Sequence, residues 1–166
     1  MTRRLRRVVL LASLTGLAFS SRSIVSAGDE KALVGSYRLT QRVTLEGKPQ
    51  KGPEVVGFMT FTKTYRTVIM KWNGPDGAPE SIAFIAAYTL SGEQYCESVV
   101  YGVQSNLGAP GVSYDTPSET KACTAAISDA SGLAFDVPGE KLRLRVSRDA
   151  IFATTPRWTD HWEKVK

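Results

Sequence analysis

The sequence predicts an all-β chain that closes into an up-and-down antiparallel β-barrel of about 8–10 strands. Three observations carry that expectation. From Leu33 onward, short runs rich in β-branched and aromatic residues alternate with turn residues. Within the runs apolar side chains recur at every second position, as in Ile82, Phe84, Ala86, Tyr88 and Leu90. No stretch carries a convincing helical period. Many strands joined by short connections avoid open edges best by closing into a ring, with a two-sheet sandwich as the other arrangement the pattern allows.

The strands follow one another in order. Leu33 to Thr44 is the first and runs into Leu45-Glu46-Gly47-Lys48-Pro49. Val55 to Thr62 and Tyr65 to Trp72 form a hairpin around Lys63-Thr64, and Asn73-Gly74-Pro75-Asp76-Gly77 closes it with residues that fix or tolerate turn dihedrals. Ile82 to Leu90 and Tyr95 to Val103 flank the turn Ser91-Gly92-Glu93. Gln104 to Pro117 reads as the longest unstructured connection, a rim loop of the kind that often carries function. Glu119 to Ile127, Leu133 to Val137 and Lys141 to Ser147 come next, and in the last of these Leu142, Leu144 and Val146 alternate with Lys141, Arg143 and Arg145. Ala150 to Thr155 and Trp158 to Val165 complete the series.

Residues 1–27 read as a signal peptide ahead of one domain over residues 28–166. Arg3, Arg4, Arg6, Arg7 and Arg22 accompany an apolar run from Val8 to Phe19, and Val25-Ser26-Ala27 supplies small residues at the cut. The arginine pairs fit a twin-arginine signal as well as a general one. Either way the mature protein is expected to be periplasmic or secreted. The net charge of +5 is concentrated in that segment: without its five arginines, 16 of the 21 Lys+Arg face 16 Asp+Glu. A neutral domain without a basic aromatic surface argues against nucleic acid as a partner. The apolar run is short of the roughly 20 residues of a membrane span, and no stable membrane anchor is expected. Cys96 and Cys123 in an oxidising compartment invite a disulfide worth roughly 3.5 kcal/mol in the chain-entropy model, or else remain separate thiols.

The ends of the domain carry a resemblance. Leu33-Val34-Gly35-Ser36-Tyr37-Arg38-Leu39 resembles the Leu-Val-Gly-Thr-Trp-Arg-Leu opening of the bacterial lipocalin-like domain family, a lipocalin or calycin-type β-barrel. Asp160-His161-Trp162-Glu163-Lys164-Val165 resembles that family's Glu-His-Trp-Glu-Arg-Val ending, and Val56-Gly57-Phe58-Met59-Thr60-Phe61 its second strand. The resemblance implies a lipocalin-like barrel with a basic side chain, here Lys164 or Arg157, laid over the ring at position 37. Tyr37 stands where the family usually has Trp, and its hydroxyl requires a partner.

A barrel of this size either fills its interior with side chains or holds one small ligand. Simple alternation places Phe84, Tyr88, Tyr95, Glu97 and Tyr101 on one inner face. With Met59, Phe61 and Met70 they form the candidate ligand-binding set, an apolar lining with a few polar groups. An inward Glu97 is costly without a partner, and Arg66, on the face of Val68, Met70 and Trp72, is its conceivable counter-ion. His161, the single histidine, lacks a nucleophile motif beside it and clustered ligands for a metal, so it reads as packing or a rim hydrogen bond. No catalytic residue, cofactor or metal site is assigned. The function expected is binding of a small apolar or amphipathic molecule in the lumen. The alternatives are a non-catalytic interaction protein or inhibitor that meets a protein partner through loops such as Gln104 to Pro117, or a barrel isomerase or cyclase using Glu97, Tyr101 or His161.

Overall fold

Twelve strands, all antiparallel to their neighbours, organise the computed structural model, which describes residues 31–166 apart from 75, 92, 108, 118 and 119. The export segment expected over residues 1–27 lies outside the described residues. The strands are β1 (Gly35–Thr44), β2 (Pro49–Gln50), β3 (Val55–Phe61), β4 (Tyr65–Asn73), β5 (Pro79–Ser91), β6 (Gln94–Ser105), β7 (Val112–Asp115), β8 (Ala122–Asp129), β9 (Gly132–Asp136), β10 (Arg143–Val146), β11 (Ala150–Thr154) and β12 (Trp158–Lys164). Ten of them pair in chain order, from β1 through β3, β4, β5, β6, β8, β9, β10 and β11 to β12. Strand β12 then pairs back onto β1, from Tyr37 opposite Lys164 to Thr44 opposite Trp158, and closes the ring. The predicted barrel therefore forms. Strands β2 and β7 are appended outside it, along β1 and β6.

The segment expected to be unstructured is instead a hairpin. Strand β6 runs on to Ser105, and β7 pairs with it from Val112 opposite Ser105 to Asp115 opposite Gly102. Asn106, at φ 56°, turns the chain, and its side-chain oxygen accepts the Gly111 amide at 3.0 Å. Ser, Gly and Asn obscure the alternation here, so turn composition hides a strand that all four of its exposed residues leave outside the core.

Two bulges set which residues face inward. Leu39 pairs with Trp162 and Gln41 with His161, so Thr40 is an extra residue and Arg42, opposite Asp160, swings into the barrel. On β6, Ile85 pairs with Tyr101 and Ala86 with Val99, so Val100 is extra and the face reverses beyond it. Gly132, at φ 116°, belongs to the tight β8–β9 turn, where a Cβ would run into the Val146 carbonyl oxygen, so only glycine fits.

One end of the barrel is sealed. Leu33, in a helical turn over residues 31–33, lies under Tyr37, and Leu133, Val146 and Ile151 are buried with them. The Tyr37 hydroxyl donates to the carbonyls of Ala32 and Leu33 at 2.9 and 3.0 Å. Lys164 Nζ lies 5.5 Å from the centre of the Tyr37 ring and donates to Ala32 O. Gly35 makes that possible, because a side chain there would occupy the path of the Lys164 stem. An aromatic ladder fills the next layer: Phe61 meets Tyr88 edge-on at 5.5 Å, Tyr88 stacks on Tyr95 at 5.6 Å, and Tyr95 stacks on Phe135 at 4.1 Å. The Cys96–Cys123 disulfide ties β6 to β8 beside this layer, across directly paired positions.

Candidate functional site

The other end is open, and a cavity of about 450 Å³ occupies it. Met59, Val68, Met70, Ile82, Phe84 and Ala153 form its apolar wall. All three tryptophans of the chain, Trp72, Trp158 and Trp162, line it as well. The polar groups are few and charged. Arg42, Arg66 and Asp160 stand within the wall, while Glu140, Lys141 and Arg157 belong to the connections at its edge.

Arg42 is held by one carboxylate and two indoles. Its Nε and Nη2 donate to the two carboxylate oxygens of Asp160 at 2.7 and 2.8 Å. Its guanidinium carbon lies 5.1 Å from the Trp72 ring centre and 4.2 Å from that of Trp158. Arg157 stacks on Trp158 at 4.5 Å, so cation and indole alternate through four side chains. Such stacks contribute about 2 kcal/mol where the cation is desolvated, as at buried Arg42, and about 0.5–1 kcal/mol at an exposed side chain such as Arg157. Trp72 also donates from Nε1 to Glu80 at 2.6 Å.

Arg66 forms a second, deeper cluster. Only 1 % exposed, it donates from Nε and Nη2 to Glu97 at 3.0 and 2.7 Å and lies 4.6 Å over Phe84. Glu97 also accepts a short hydrogen bond from the Tyr95 hydroxyl. A further Nη2 contact, at 3.3 Å, reaches Glu140 from the β9–β10 connection. Burial alone would lower the Arg66 pKa, but the negative charges of Glu97 and Glu140 outweigh it and hold the guanidinium above its ordinary value. Burial pushes the Tyr95 hydroxyl up; Arg66 opposes this and Glu97 reinforces it, so the phenol stays protonated and donates. Glu140 is likewise raised, chiefly by desolvation, with Arg66 opposing and Glu97 adding repulsion.

The candidate ligand set divides by depth. Met59, Met70 and Phe84 line the cavity. Phe61, Tyr88 and Tyr95 are buried in the sealed layer beneath it, and Tyr88 donates to Thr62 O at 2.5 Å. Glu97 faces inward and meets Arg66, below the cavity wall. Tyr101 is on the outer surface, 48 % exposed, because the Val100 bulge reverses alternation; its placement on the inner face is corrected. His161 packs edge-on against Phe152 at 4.9 Å on the outside of the wall.

Sequence reasoning missed Arg42, Asp160, Trp158 and Glu140. Alternation with Trp162 pointed to Asp160 and Trp158, whereas the bulge at Thr40 hid Arg42 and a loop position gave no periodic signal for Glu140. The Nε1 of Trp162, a residue 1 % exposed, is buried without a hydrogen-bond partner among the described residues. No cluster of three or more His, Cys, Asp or Glu suited to a metal occurs among the described residues.

Fold and site together define a closed ten-stranded antiparallel barrel, sealed at one end and hollow at the other, an architecture compatible with a binding barrel. No protein-family model, curated protein or solved structure matches the chain.

Proposed function

We propose that this protein is an exported binding barrel that holds a small apolar or amphipathic molecule in its open end. The observation that carries the reading is the 450 Å³ cavity, walled by methionine and aromatic side chains yet furnished with a few buried charged groups. That combination is usual for a small-molecule site: apolar area supplies affinity and sparse polar groups fix orientation. Methionines let the wall adapt to an irregular occupant. The lipocalin-like ends of the sequence are consistent with this reading.

The three tryptophans supply the test, since the tryptophan emission of the chain, excited selectively, arises wholly from the cavity wall. The protein, unfolded and refolded to strip any occupant, is titrated with apolar and amphipathic probes while tryptophan emission is followed, and native mass spectrometry identifies what it retains from an extract. Saturable changes in emission at one-to-one stoichiometry support the reading; emission indifferent to every probe, with no retained mass, overturns it.

A second reading rests on a different surface. Val112 and Tyr114 are exposed on β7, which among the described residues pairs only with β6 and so offers a free strand edge. Docking of a protein partner along that edge is tested by cross-linking and co-purification with and without residues 107–116.

A further inference from the structure

Arg66 is one cation with two carboxylates, and the two are held very differently. Glu97 is 6 % exposed and fixed by two hydrogen bonds from the guanidinium and one from Tyr95. The Glu140 side chain is 44 % exposed and reaches the same Nη2 by one contact of 3.3 Å. It stands on the Val137–Leu142 turn, where the Glu140 amide donates to Val137 O and Gly139 has φ 76°. Glu97 already matches the charge of Arg66, so Glu140 is a surplus anion in a partly desolvated place. It also lines the cavity, where the polar end of an occupant would stand.

The neighbouring charges favour an arriving anion. Lys141 and Arg157 line the same cavity, and among the described residues neither takes part in an ion pair. Arg42 is a poorer anchor, because Asp160 grips it bidentately and two indoles pack against its guanidinium.

We propose that Glu140 is a displaceable stand-in for a ligand's own acid group: the lumen takes an amphipathic monoanion whose head exchanges with the Glu140 carboxylate at Arg66 Nη2. The apolar body then lies against Met70, Phe84 and the indoles. The exchange replaces one anion by another at the guanidinium and returns Glu140 to water, so the cluster keeps its charge balance. This inference rests on the lumen-binding reading and names the ligand class for it.

Two fluorogenic probes that share one ring system separate the claims: N-phenyl-1-naphthylamine, which is neutral, and its 8-sulfonate, which is anionic. Their affinities are measured for the whole domain and for Glu140→Gln and Glu140→Ala, with energy transfer from tryptophan reporting occupancy of the lumen. The expected result is a gain of about tenfold for the sulfonate over the neutral probe in both variants, the scale of one charge-assisted hydrogen bond. The gain persists at 0.5 M salt, because the competition is a contact and not a distant field. An unchanged ratio of the two affinities, an equal gain for both probes, or a gain abolished by salt each overturns the exchange while leaving lumen binding intact. Absence of binding by both probes in every form overturns the lumen reading and the exchange with it.

Discussion

Replacing Glu97 by Gln isolates the most heavily invested interaction in the barrel. Arg66 is 1 % exposed and Glu97 6 %, so the substitution removes a carboxylate without opening the site to water. The guanidinium loses charged acceptors at 3.0 and 2.7 Å, and only the contact at 3.3 Å to Glu140 remains to offset its charge. Breaking a buried pair by removing one partner costs about 3–5 kcal/mol. For a domain of this size that lowers the thermal midpoint by about 10–20 °C. The double variant Arg66→Met/Glu97→Leu replaces both charges with apolar groups and is expected to recover most of that loss, since the desolvation penalty disappears along with the attraction, leaving a cost of about 1–3 kcal/mol from the buried Tyr95 hydroxyl, which loses its acceptor. The assay is chemical denaturation of wild type, Glu97→Gln, the singles Arg66→Met and Glu97→Leu, and their double, followed by tryptophan emission and checked by circular dichroism. A Glu97→Gln protein within about 1 kcal/mol of wild type, or a double variant as unstable as the singles, would refute the reasoning, because either result means the pair is not stabilised against burial by mutual contact.

Three further outcomes follow from other parts of the barrel. Tyr37 is pushed up to about 12, first by burial and then by Asp149, from an ordinary value of 10.0. The folded state holds this proton where the unfolded chain has lost it, so stability falls by about 2–3 kcal/mol as pH rises from 10 through 12, and Tyr37→Phe, compared by denaturation at pH 8 and 11, loses less over that interval. Glu140 is raised by desolvation, so its contribution is greatest on the acid side and declines as pH rises through the folded pKa; Glu140→Gln therefore gains thermal midpoint relative to wild type at pH 7 compared with pH 4. At Gly57 a Cβ would stand 2.9 Å from Met70 Cγ and 3.0 Å from the Trp162 ring, so Gly57→Ala is expected to destabilise by about 1–3 kcal/mol and to shift the tryptophan emission; an unchanged spectrum and midpoint would show that the wall yields.

Much of the wall was legible because alternation is a local property. Met59, Met70 and Phe84 reach the cavity as their spacing requires, and the inward turn of Glu97 toward Arg66 follows from the same period. Alternation fails at bulges, which insert one residue without a compositional mark: Thr40 brings Arg42 inward and Val100 sends Tyr101 outward. Depth was equally hidden. Phe61, Tyr88 and Tyr95 share the inner face with the cavity residues but sit at the sealed end, and position along a barrel axis depends on how strands stagger when the ring closes.

The sequence alone determined that this is a chain of antiparallel strands in a meander, because side-chain period and turn chemistry are set by neighbouring residues and act before any long-range contact forms. Only the tertiary structure decided that one end is plugged and the other hollow, and that Arg66 meets Glu97 and Glu140 across 31 and 74 residues of chain. Those pairings arise when β12 closes on β1 and the connections take their places at the rim, where charge, burial and distance are fixed by the whole ring and by no single strand.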